Sequence, residues 1–213
     1  MINKEIEFEI DELMQTKISN PIRNVFDIIA LLLETIKYML WQSPLPSEKG
    51  KLKIVVGKMN RIFYVLENKI FSITMPFFTK LMENENVLIY DHAIAFDSKN
   101  IAIISSVFYK ISKNPDNSVI LSDIEQFLRD ENLDEDVFTV LSGVIVKLLS
   151  TEYGYLRYDD DKEHEEAEMH PRYHLDINCA NNCTYKLGLK KAIDYNWLRD
   201  CLDNEKPCKI INI

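Results

Sequence analysis

The sequence predicts an α+β protein: an N-terminal helix and a small antiparallel sheet, followed by further helices, a two-stranded ribbon and a C-terminal helix. Three observations carry this. Apolar residues recur at helical spacing over residues 22–40 and 137–149. β-Branched and aromatic runs cluster at residues 52–56, 62–66, 153–158 and 171–177. With 46% hydrophobic and 28% charged residues over 213 positions, the chain can bury one sizeable core or two small ones. Gly and Pro are scarce and no stretch is linker-like, so one compact body or two closely packed lobes is expected.

Taken in order, residues 3–18 leave two readings open: Ile6, Phe8 and Ile10 alternate as in a strand, while the Glu, Asp, Leu and Met content suits a helix. Asn20 can cap the next helix with Pro21 at its first position, and Ser43, Pro44 and Pro46 end it. Residues 52–66 read as a hairpin or short meander around Gly57 and Asn60. Thr74 is placed to cap a short helix running to Met82, and residues 87–96 read as a strand. Residues 101–112 favour a helix through Ile104, Val107, Phe108 and Ile111, with a hairpin against 87–96 as the competing reading. A short apolar run, Val119 to Leu121, precedes Ser122 and Glu125, whose spacing is that of a capping box. Asp134 is placed to cap the following helix, and the last helix, residues 194–202, sets Trp197 and Leu198 inward. The division expected is a helical and β part, 1–98, and a second part, 99–213.

Within that second part the order helix, short strand, helix, helix, ribbon resembles a winged helix-turn-helix, carried by residues 121–128, 133–149 and 154–158. A winged helix that reads bases presents Arg, Lys, Asn or Gln from its second helix. The outward positions here include Asp134, Glu135, Asp136, Thr139, Ser142, Gly143 and Lys147, and residues 159–168 hold seven acids among ten. Phosphate repulsion excludes this face as a DNA reader. Winged helices of this electrostatic type resemble the accessory subunits of SMC-like ATPases and of multi-component bacterial defence systems. The resemblance implies an adaptor docked on a larger protein partner, with phage defence as its setting.

Net charge is −9, which opposes coating of nucleic acid. Residues 49–80 are the exception, with seven Lys and Arg against Glu67 alone, so nucleic acid is expected only through that segment or through the partner. Residues 25–41 are interrupted by Asp27, Glu34 and Lys37 and are too short to span a bilayer. The acidic start carries no secretory signal, and four cysteines after position 178 call for no oxidising compartment. A cytoplasmic protein without membrane association is expected. Five glycines, Gly50, Gly57, Gly143, Gly154 and Gly188, build neither a P-loop nor a dinucleotide fingerprint, so no cofactor is expected.

The ribbon holds three of the four histidines, His164, His170 and His174. Strand alternation puts His170, Arg172, His174 and Asp176 on one face, and pairing the apolar faces brings Arg157 and Asp159 beside them. Arg157, Asp159, His170 and His174 form a set able to perform metal-free phosphodiester chemistry, one His taking a proton and the other giving one while Arg steadies phosphate. The same residues also suit the wet face of a half-buried ribbon. His92, in an apolar setting, reads as structural. The run Leu156-Arg157-Tyr158-Asp159-x-Asp161 followed by His170-Pro171-x-x-His174-Leu175 resembles the C-terminal signature of a bacterial family of unknown function and, more loosely, small toxin-type proteins. That resemblance implies a defence or toxin–antitoxin setting. His170, His174, Cys179 and Cys183 have a spacing that zinc could use, although buried thiols explain the cysteines as well.

Two functions follow as expectations. One is a non-catalytic accessory subunit docking on a larger bacterial enzyme or ATPase. The other is a small nuclease- or toxin-like enzyme, which requires Arg157, Asp159, His170 and His174 to converge in one cleft.

Overall fold

A computed structural model describes residues 3–41, 49–82, 87–91, 94–113, 120–180 and 183–210. In chain order its elements are β1 (Lys4–Glu9), α1 (Glu12–Ser19), α2 (Val25–Trp41), β2 (Lys51–Val56), β3 (Arg61–Val65), β4 (Lys69–Thr74), β5 (Phe78–Leu81), β6 (Val87–Asp91), β7 (Ile94–Ala95), α3 (Ser98–Lys113), α4 (Ile120–Arg129), α5 (Glu135–Ser150), β8 (Leu156–Asp160), β9 (Tyr173–Ala180), β10 (Cys183–Gly188) and α6 (Tyr195–Leu202). The α+β class is as the sequence predicts. The division at 98/99 is not what the chain shows. One compact unit takes residues 1–19, 44–75 and 153–213, and the other takes 20–43 and 76–152.

The first unit is built on a seven-stranded antiparallel sheet in the order β1-β2-β3-β4-β8-β9-β10. Both readings of residues 3–18 are realised in succession, the alternating Ile6 and Phe8 in β1 and Glu12 to Ile18, with Leu13 and Met14, in α1. The β2–β3 turn uses Gly57 at φ +142° and Asn60 at φ +45°, conformations that favour Gly and Asn. On one face Ile70, Tyr158 and Leu175 form a core with Leu198 of α6, and Trp197 and Tyr173 pack against it. Asp194 caps α6, its side chain accepting from the Trp197 N–H at 2.8 Å.

Thr74 does not cap a helix. Its N–H donates to Tyr153 O at 2.8 Å and the Met75 N–H donates to Asn60 O at 2.9 Å, so the chain stays extended into Pro76, which disfavours helix before it. Next to this junction lies Arg61, 8% exposed, which donates to Ser72 Oγ (2.9 Å), Thr74 Oγ1 (3.3 Å) and Gly154 O (2.5 Å). Burial pushes its guanidinium down to about 10. Gly154 sits at φ +51°, and a Cβ there would lie 3.1 Å from Arg61 Nη1.

The second unit contains α2, α3, α4, α5 and the three-stranded sheet β5-β6-β7. Ile28, Ile29, Leu32, Leu33, Ile36 and Met39 of α2 are buried at helical spacing. The cap is Asn24 rather than Asn20: Asn24 Oδ1 accepts from the Phe26 and Asp27 N–H groups at 2.8 and 3.1 Å, and Asp27 reaches back to the Arg23 and Asn24 N–H groups. This reciprocal bonding satisfies three N–H groups of the first turn, those of Asn24, Phe26 and Asp27, and that of the preceding Arg23. α4 begins by Ile120, so Ser122 and Glu125 lie inside it, and Glu125 instead pairs with Arg129 one turn on. Residues 101–112 are helical, with Ile104, Val107, Phe108 and Ile111 buried. Asp134 occupies the N-cap of α5 without a side-chain cap bond, and Leu141, Val144, Ile145 and Leu148 are buried.

The expected winged-helix order is not reproduced: Ile120 and Leu121 of the expected short strand lie in α4, Val119 lies outside the described residues, and the remaining parts are distributed differently. The helices α3, α4 and α5 belong to the second unit, whereas β8 and β9 are interior strands of the seven-stranded sheet, β8 pairing with β4. Among the described residues no helix is long and apolar enough to cross a membrane.

Candidate functional site

The face of the sheet opposite α6 changes character across its strands. Opposed residues in an antiparallel pair share a face. Starting at β1, Ile6 faces Ile54, Leu52 faces Tyr64 and Tyr64 faces Phe71, all buried and apolar or aromatic. One strand further, Phe71 faces Arg157 and Lys69 faces Asp159. Then Arg157 faces Asp176 and Asp159 faces His174. The same surface thus passes from a hydrocarbon core to a charged floor.

That floor is buried, not the wet face of a ribbon: His174 is 2% exposed, Asp176 4% and Asp159 8%. Arg157 Nε donates to Asp159 Oδ2 at 2.6 Å, and Arg157 Nη2 donates to Asp176 Oδ2. His174 Nε2 lies 3.5 Å from Asp159 Oδ2, while its Nδ1 lies 2.8 Å from Pro171 O. A carbonyl can only accept, so Nδ1 carries the proton toward Pro171. Burial works to lower the Arg157 pKa, but Tyr155, Asp159 and Asp176 beside it prevail and raise it. Burial pushes the Tyr155 phenol up to about 12, against the pull of Arg157.

His170 reaches this floor from the connecting loop. The loop folds back through paired bonds between Glu166 and His170, each N–H donating to the other's carbonyl at 2.8 Å, with Ala167 at φ +31° in the turn. His170 Nε2 is 3.2 Å from Asp161 Oδ2, and its ring centroid is 4.6 Å from that of His174. Burial would raise the Asp161 pKa, but hydrogen bonds from His164 and His170 hold it at about 2. Above the floor is an open hollow of about 620 Å3 whose lining includes Lys69, Arg157, Asp159, Lys162, His170 and His174.

The four residues singled out in the sequence, Arg157, Asp159, His170 and His174, therefore come together. Arg172 departs from the expected shared face and pairs with Asp160 at 2.6 Å. Asp176 and Tyr155 complete the cluster. Their signal was the two-residue spacing on either side of His174 and Arg157, which strand alternation turns into neighbourhood. Cys179 does not join: it lies five residues beyond His174 along β9, roughly 15 Å at the usual strand rise. Cys183 is placed by its backbone pairing with Ala180, its side chain lying outside the described ones, as does His92 entirely.

The basic segment is largely neutralised. Lys51 and Lys53 pair with Glu5, Glu7 and Glu9 across β1–β2, Lys58 pairs with Glu205, and Arg61 is buried among neutral acceptors. Lys69 is the member of that segment that lines the hollow. No protein-family model matches the chain, and no curated protein or solved structure is similar to it.

Proposed function

We propose that this chain is a small nuclease-like enzyme that hydrolyses phosphodiesters in the hollow over β8 and β9. The observation that carries the reading is the convergence of Arg157, Asp159, His170 and His174 on one buried floor with cationic Lys69 and Lys162 at its lining. Such a floor excludes water and holds its charges in fixed directions, which is what preorganised electrostatic catalysis needs. His170, 26% exposed at its side chain and oriented by Asp161, is placed to take a proton from an attacking water. The water's hydroxyl bonds to phosphorus as its proton passes to His170, the ester P–O bond breaks, and the departing oxygen takes a proton from solvent in the open hollow. Lys69 and Lys162 offset the charge of the phosphate. A reducing cytoplasm suits the free thiols of Cys201 and Cys208.

The test is incubation of the purified protein with end-labelled RNA and single- and double-stranded DNA. Cleavage that falls at least about 100-fold in His170→Ala, with the fold intact, supports the reading. Cleavage indifferent to His170→Ala, or none on any of the three substrates, overturns it.

A second reading, the accessory subunit, draws on the exposed acids Asp134, Glu135 and Asp136 at the start of α5. It expects a stoichiometric larger partner on affinity capture from the native host, lost on replacing those three acids with Asn and Gln.

A further inference from the structure

The floor of the site holds a buried carboxylate oxygen that no group among the described residues meets. With Nδ1 donating to Pro171 O, His174 turns Nε2 toward Asp159 Oδ2, 3.5 Å away. Asp176 Oδ1 is buried with no hydrogen-bond partner among the described residues, on a side chain only 5% exposed. Arg157 is the one guanidinium set against both carboxylates. An orphaned carboxylate oxygen in a dry site costs several times what a satisfied one does.

We propose that Asp159, His174 and Asp176 bind a divalent first-row metal ion, with Mn2+ as the species their donors best fit. One ligand atom from each of the three lies within 4.8 Å of the others. Two donors each about 2.1 Å from one ion lie ~3.0 Å apart in an octahedral shell and ~3.4 Å apart in a tetrahedral one, so the 3.5 Å between His174 Nε2 and Asp159 Oδ2 closes onto an octahedral Mn2+ with a shift of about half an ångström. The Nδ1–H bond to Pro171 O fixes the tautomer that presents Nε2 as a ligand, the usual arrangement behind a metal-bound imidazole. Two carboxylates and one imidazole favour a hard-to-borderline ion over a thiophilic one. Asp159 and His174 line the hollow, from which phosphate oxygen or water would complete the shell. The site shares residues with the proposed phosphodiesterase, yet it is read out by binding alone.

Mn2+ is titrated into chelator-stripped protein and followed by loss of the free-ion electron paramagnetic resonance signal. The expected result is one equivalent bound, weakened at least about 100-fold in Asp176→Asn and in His174→Gln and unchanged in Cys201→Ser. No binding to folded wild-type protein at millimolar Mn2+, or binding altered less than threefold in both ligand variants, overturns the site. Should either variant fail to fold, anomalous scattering at the manganese edge from Mn2+-soaked wild-type crystals decides: density between Asp159, His174 and Asp176 supports the proposal, and an ion elsewhere removes it. Bound Mn2+ without nucleic-acid cleavage keeps the metal and removes the nuclease, whereas cleavage without Mn2+ binding at millimolar ion does the reverse.

Discussion

On one face of the β8–β9 ribbon Tyr158 and Leu175 are 4% and 5% exposed; on the other Asp159, His174 and Asp176 are 8%, 2% and 4% exposed. The two faces share strands, twist and burial and differ only in chemistry. The first packs Ile70 and Leu198 into a hydrocarbon layer that gains from leaving water. The second places two carboxylates, an imidazole and a guanidinium in the same dryness, where each must find a partner or lose stability. Equal burial with opposite chemistry separates the face that holds the sheet together from the face kept for a ligand.

The largest effect expected from breaking this contrast is on the apolar side. Leu198 is fully buried, so Leu198→Ala lowers unfolding free energy by about 4 kcal/mol in urea denaturation while Mn2+ affinity in the folded protein stays unchanged. On the polar side, Arg157→Ala leaves Asp159 and Asp176 without their cation. It costs about 3 kcal/mol in metal-free protein, and saturating Mn2+ restores part of the loss, as thermal melting with and without the ion would reveal.

How much of this contrast is legible in the sequence depends on the range of the interactions. Alternation in residues 153–158 and 170–177 is local, so the pairing of Arg157 and Asp159 with His174 follows from the sequence once the two strands are aligned. That β8 also pairs with β4, some 85 positions earlier, is not written in any local period, and the ribbon therefore reads as a free-standing wing. The Asn24 cap was masked by the stronger sequence signal of Asn20-Pro21, and the helix start at Ile120 by the Ser122–Glu125 spacing; in both, side-chain bonds to neighbouring backbone or to Arg129 decide the outcome. The short helix expected after Thr74 loses to inter-strand bonds with Tyr153 and Asn60 that lie far apart in the chain. The 98/99 division fails for the same reason, since the first unit is assembled from three separated stretches.

Two smaller tests sharpen the α6 side. Arg61→Met removes three donors to Ser72, Thr74 and Gly154 but leaves the acceptors in place, and is expected to cost about 2 kcal/mol by chemical denaturation. The smallest effect is on pH dependence. Burial acts to raise the Glu5 pKa, but hydrogen bonds from Tyr195 and Lys53 and the charge of Arg199 hold it below the ordinary value. A depressed carboxylate contributes stability that is present above about pH 4.3 and is lost as the pH falls through its folded-state pKa. Glu5→Gln is therefore expected to flatten the acid side of the stability profile and leave the neutral side parallel to wild type.

The most direct test of the polar face as a ligand site is the metal-free stability of Asp176→Asn, measured by chemical denaturation in chelator beside wild type. Removing one of two carboxylates that share Arg157, together with the unpartnered Oδ1, is predicted to leave the midpoint unchanged or higher, while Mn2+ no longer stabilises the protein. A fall of about 2 kcal/mol or more, with stabilisation by Mn2+ retained, would contradict this and make Asp176 a structural partner of Arg157.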